Sequence, residues 1–219
     1  MTITLPLLTP VEARILGVLV EKEKITPDAY PLTLNSLVTG CNQKTSREPV
    51  MNLGESEIQS ALEELRRRSL VLENYGASGR VLRYTQNFGK CYALPQASVA
   101  LLAILMLRGP QTVSELRANC ERLYRFEDAS SVEAYLEELA VRDVSALTVK
   151  LPKQPGSREH RWTHLLCGAV AADAAGEDGD MHVGEGGHIT ALEERIYRLE
   201  QKVLELQDAI ACLASHSDT

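Results

Sequence analysis

One arrangement occurs twice before residue 167: two short helical patterns, a third amphipathic helix, then a strand, a turn-rich tip and a returning strand. In the first copy the third helix is predicted from Glu55 to Arg68, with Ile58, Ala61, Leu62 and Leu65 on one face. Val71 and Leu72 lead into Asn74, Gly76, Ser78 and Gly79, and the chain returns through Val81, Leu82 and Tyr84. Three helices followed by a β-hairpin outline a winged helix, a variant of the helix-turn-helix. The expectation is therefore a mainly α chain with small β-hairpins, built as two tandem winged-helix domains. Such a fold points to binding and away from catalysis.

The rest of the chain fits this frame. Thr9-Pro10-Val11-Glu12 is a capping box with proline at the first helical position, predicting a buried helix to about Lys24. A second helix is expected from Pro31 to Cys41, and Val50-Met51-Asn52 as a short strand pairing with the wing. In the second copy, Val99 to Leu107 forms an apolar helix stopped by Gly109-Pro110. Thr112-Val113-Ser114-Glu115 opens the next helix, running to about Leu123. Ser130 or Ser131 caps the third, which packs Val132, Tyr135, Leu136 and Leu139 inward. Strands from Ala146 to Leu151 and from Glu159 to Leu166 flank a tip at Pro152 to Ser157. The predicted organisation is residues 1–90 and 91–167 as the two domains, 168–188 as a flexible linker rich in Ala, Gly and Asp, and 189–214 as a C-terminal coiled-coil helix.

That last helix has an unbroken heptad pattern. Ile189, Ile196, Val203 and Ile210 occupy one seam position, and Leu192, Leu199, Leu206 and Leu213 the other. β-Branched residues at a with leucine at d favour a parallel two-stranded coiled coil, which predicts a homodimer. The alternative is an amphipathic helix folded back on its own body.

Charge is unevenly spread. Residues 1–90 carry 11 Lys/Arg against 10 Asp/Glu, residues 91–168 carry 9 against 9, and residues 169–219 carry 3 against 11. The acidity thus belongs to the tail, and the near-neutral domains lack the basic excess of a dedicated DNA binder. The five cysteines are scattered and never spaced as CxxC, as expected of reduced thiols in a cytoplasm rather than of disulfides or a zinc site. No apolar run is long enough to span a bilayer, and no secretory leader is expected.

Three places are candidates for nucleic-acid contact. The first is the third helix of the first copy, whose start carries Glu55, Ser56 and Glu57. Those acids suit the helix dipole and oppose phosphate, so a solvated, well-capped helix explains them better than base readout. The second is the polar stretch from Cys41 to Val50. Asn42 and Gln43 could read adenine edges there, with Lys44 and Arg47 holding phosphates. Asn42 serves equally well as a helix cap, and the others as partners in internal turns. The third is the second hairpin, where Lys150, Lys153, Arg158 and Arg161 surround a Pro/Gly tip opposed only by Glu159. Cations on a hairpin edge also discourage aggregation. Trp162 could stack on a base, although a single tryptophan on a strand is more often core. His160 and His164 share a face without a further ligand, and no catalytic residue, metal site or cofactor is expected.

Leu8-Thr9-Pro10-Val11-Glu12-Ala13-Arg14, Tyr30-Pro31-Leu32 and above all Asn42-Gln43-Lys44-Thr45-Ser46-Arg47-Glu48-Pro49-Val50 resemble the YceH family. Further matches are Gly109-Pro110-Gln111-Thr112, Glu115-Leu116-Arg117, Leu123-Tyr124, Pro155-Gly156 with Arg158-Glu159 and Arg161, and His164-Leu165-Leu166. The resemblance spans about residues 8–167 and implies two tandem winged-helix domains, with no catalytic residues to carry over. The functional expectation is a non-enzymatic, cytoplasmic, dimeric regulator that binds double-stranded DNA. The alternative is an adaptor whose winged helices bind a protein partner.

Overall fold

Thr9 starts the first helix as its sequence predicts: its hydroxyl accepts from the Glu12 amide, and the Glu12 carboxylate accepts from the Thr9 amide. The computed structural model describes residues 7–75, 81–142, 145–154 and 156–169. The first copy consists of α1 (Pro10–Ile25), a single 3-10 turn (Pro27–Ala29), α2 (Leu34–Cys41), α3 (Glu55–Arg67), and an antiparallel pair, β1 (Val71–Tyr75) with β2 (Leu82–Gln86). Their register sets Val71 opposite Gln86 and Tyr75 opposite Leu82. A short helix α4 (Phe88–Cys91), which nothing in the periodicity announces, turns the chain into the second copy. It is anchored by Phe88, fully buried with its ring 4.8 Å from that of Tyr92.

The second copy repeats the order: α5 (Gln96–Arg108), β3 (Gln111–Thr112), α6 (Val113–Cys120), α7 (Ala129–Ala140), β4 (Thr148–Lys150) and β5 (Arg161–His164). Here the sheet has three strands in the order β3-β5-β4, all antiparallel. Thr112 and Glu115 form a capping box at the predicted start of α6. The cap of α7 is Asp128, not Ser130 or Ser131: its carboxylate accepts from the Ser131 amide at 2.8 Å, and a charged acceptor outcompetes a hydroxyl at a helix start.

The expected strand at Val50 to Asn52 does not form. The third strand position of the first sheet is instead a single bridge ahead of α2, with Leu32 and Tyr84 exchanging hydrogen bonds of 3.2 and 2.8 Å. The physical reason lies in Asn42. Its side-chain amide takes both the N–H and the carbonyl of Leu53, the residue that follows this segment, and so ties it to the end of α2. Pro49 meanwhile has no N–H to offer.

The two copies share one core. α5 is the principal neighbour of α1, and the buried apolar residues of both copies join a single cluster. Gly17 lets the helices approach: a Cβ there would stand 2.8 Å from Leu107 Cγ and 3.3 Å from the Ala103 carbonyl oxygen. The Leu8 amide also donates to the Leu166 carbonyl at 2.8 Å, tying the start of the first copy to the end of the second. All described residues fall within one compact unit, and the core runs continuously past residue 90. Cys41 and Cys120 are buried, and burial pushes both thiols up to about 12, so they behave as small core hydrophobes. Cys91 and Cys167 are exposed. Among the described residues no helix is long and apolar enough to cross a membrane. The linker beyond residue 169 and the predicted coiled coil from Ile189 to Leu213 lie outside the described residues.

Candidate nucleic-acid interface

The stretch from Asn42 to Pro49 folds inward. Asn42 is held by Leu53, as described above. The Arg47 side chain is fully shielded, and its guanidinium donates to both Glu21 carboxylate oxygens at 3.1 and 2.6 Å. It donates further to the Gly40 and Ser46 carbonyls and to Gln43 Oε1. Five hydrogen bonds therefore use up the arginine and orient the glutamine beside it. Burial alone would raise the Glu21 carboxyl; the Arg47 hydrogen bonds and charge, with Lys22 beside them, hold it below the ordinary carboxylate value.

Arg14 completes this wiring from the same face of α1, seven residues before Glu21. It is 1% exposed and donates to the Cys41 and Pro49 carbonyls at 3.1 and 2.6 Å, clamping both ends of the loop. Burial, with the Arg47 charge next, lowers its pKa. The loop is joined to the second copy as well, since the Glu48 amide donates to the Leu107 carbonyl and Arg108 donates to Ser46 Oγ. Of the four polar candidates in this stretch, only Lys44 is exposed.

The second hairpin is built the opposite way. The Leu151 amide donates to the Arg161 carbonyl, Ser157 closes the tip onto Gln154, and Gly156 adopts a left-handed φ of 80°. Lys150 leans back, 2.9 Å from Glu133 of α7 and 5.5 Å above the Trp162 ring. Glu159, the opposing acid, accepts from Ser114 Oγ at 3.2 Å and is directed toward α6. Lys153 and Arg158 stand exposed at the tip, and Arg161 is half-buried at its base. Trp162 is only 2% exposed and belongs to the core, so it offers no stacking platform.

A family model described as "Protein of unknown function, DUF480" matches residues 8–157. The chain belongs to this family. It is similar to a UPF0502 protein of Paraburkholderia phymatum, 55% identical over 207 residues, which covers 91% of this chain and 87% of the relative. A UPF0502 protein of Leptothrix cholodnii is 51% identical over 208 residues, covering 95% and 91%. One of Burkholderia orbicola is 50% identical over 214 residues, covering 95% and 88%. The YceH resemblance drawn from Asn42 to Val50 agrees with these matches.

In this DUF480 member the two candidate groups therefore differ in kind. Asn42, Gln43 and Arg47 wire the interior, whereas Lys44, Lys153 and Arg158 present charge to solvent. The basic run on α3 is also engaged: Arg66 faces Glu73 at 3.7 Å, Arg67 faces Glu64 at 2.7 Å, and Arg68 pairs with Glu12. Sequence reasoning passed over Arg14 and Glu21, whose signal was two charges seven residues apart with only uncharged residues between them. It also passed over the exposed Arg122 and Arg125, which lie on the turn between α6 and α7. Chemically, the exposed cations Lys44, Lys153 and Arg158 can neutralise phosphates.

Proposed function

We propose that this chain is a non-enzymatic, cytoplasmic, regulatory DNA-binding protein made of two winged-helix domains, residues 1–90 and 91–167. It contacts double-stranded DNA mainly through the second hairpin. The observation that carries this reading is the three-helix-and-hairpin order, formed twice, with Lys153 and Arg158 exposed on a tip whose acid is turned away. Wing tips run along phosphate backbones, and a dimer of two winged helices would present paired sites to a duplex. The dimer would form through Ile189, Leu192, Ile196, Leu199, Val203, Leu206, Ile210 and Leu213. Lys44, Arg161, Arg122 and Arg125 are secondary contacts in this reading. A gel-shift assay on genomic fragments at low salt tests it; absence of salt-dependent binding at micromolar protein contradicts it.

A protein-binding adaptor is the second reading, favoured by the first hairpin. Leu72, Tyr75 and Val81 there are 44%, 72% and 48% exposed, and Glu55 and Glu57 occupy the start of α3. Exposed apolar side chains on the hairpin and acids at the start of α3 suit a protein partner better than a phosphate backbone. Pull-down from bacterial lysate with and without nuclease separates the two: partners that survive nuclease support the adaptor.

A further inference from the structure

We propose that the cleft between α1, β2, α4 and α5 binds a small apolar zwitterion of the amino-acid type. The cleft holds about 330 Å³, within the roughly 300–1,000 Å³ range of small-ligand sites. Both copies build it: α1 and β2 come from the first, α5 and Leu123 from the second. Val20, Leu94, Val99 and Leu123 give it an apolar wall fit for an aliphatic side chain.

Its lining carries polar groups of both signs. Glu23 on α1 accepts from Gln86 Nε2 at 2.8 Å, and a carboxylate has further lone pairs to offer. That bond fixes which way the Gln86 amide faces, leaving Oε1 buried without a hydrogen-bond partner. Rotation about the soft terminal torsion of glutamine brings Oε1 to a donor in the cleft, and moves Nε2 off Glu23 as it does so. Two acceptors side by side suit an ammonium, which carries several N–H donors. Lys24 and Lys90, both exposed and both lining the cleft, suit a carboxylate. An acid, an unmatched acceptor and two lysines lining one cleft with an apolar wall are the complement of an ammonium, a carboxylate and an aliphatic body. The site is independent of any nucleic-acid contact.

The full chain titrated calorimetrically with L-leucine, isoamylamine and 4-methylpentanoate tests this, since the last two each lack one head group. Leucine is expected to saturate at least about tenfold more tightly than either, the worth of one good polar contact. Glu23→Gln should weaken leucine and the amine and leave 4-methylpentanoate unchanged. Val99→Trp, filling the cleft, should abolish binding of all three; if that variant does not fold, Glu23→Gln decides alone. The proposal is overturned if leucine does not saturate below roughly 10 mM, if either single-headed probe binds as tightly, or if Glu23→Gln weakens all three alike.

Discussion

The loop at residues 42–50 and the hairpin tip at residues 151–160 are both polar connectors, yet they do opposite jobs. The loop has the denser set of hydrogen-bonding side chains, and it spends them on itself: Arg47 holds Glu21, Gln43 and two carbonyls, and Asn42 holds Leu53. The tip has fewer such groups and leaves two cations, Lys153 and Arg158, in water. Buried polar groups must be matched, so a polar motif beside an apolar helix is as much a sign of interior wiring as of a reader of ligands. Partners and burial, not polar density, separate the two regions.

Mutations sharpen the contrast, beginning where the largest effect is expected. Arg47→Ala strands the Glu21 carboxylate inside the protein and should cost about 3–5 kcal/mol in urea unfolding. Replacing both partners with apolar residues, Glu21→Leu with Arg47→Met, should recover much of that loss. A single-mutant cost below about 1 kcal/mol would mean that the loop is not held by this pair.

Acid should separate the regions next. Burial lowers His164, at the base of the second hairpin, to about 4, so the native state keeps it neutral while the unfolded chain protonates near its ordinary value. Its stabilising effect is therefore complete above about pH 6.5 and declines as pH falls toward 4, by as much as about 3 kcal/mol. His164→Phe should flatten that slope. Glu21 acts in the same direction but lower: its depressed carboxyl stabilises the fold above the ordinary carboxylate value, and that contribution is lost below it. Urea midpoints measured from pH 7 to pH 4 in wild type and His164→Phe distinguish the two; parallel curves would remove His164 as the cause.

Asn42→Ala leaves the Leu53 N–H and carbonyl without their present partner, and about 1–3 kcal/mol should be lost. The smallest effect belongs to the tip. Lys153→Glu with Arg158→Glu should change stability by no more than about 0.5 kcal/mol, as surface substitutions do. A melting temperature that drops with the tip variant would make these cations structural after all.

Much of the frame is legible in the chain. Thr9 with Glu12, and Thr112 with Glu115, mark helix starts because a capping box is local chemistry. The apolar stripe of α3 marks its buried face in the same way. What was not legible depends on distant partners. The Leu32–Tyr84 bridge and the β3–β5 pairing join residues about 50 apart, and no periodicity in a two-residue strand announces them. Lys44, Lys153 and Arg158 could be named from sequence, but Arg47 reads identically until Glu21 is seen beside it.

In the proposed reading the hairpin tip is the principal nucleic-acid contact and Lys44 of the loop a secondary one. The decisive measurement is duplex-DNA affinity against salt for wild type and for Lys153→Glu with Arg158→Glu. Wild-type affinity should fall linearly on logarithmic axes as salt rises. The variant should bind more weakly on every sequence tested, with a slope shallower by about 2, since each lost phosphate contact removes about 0.9. An unchanged affinity and slope in the folded variant would contradict the account.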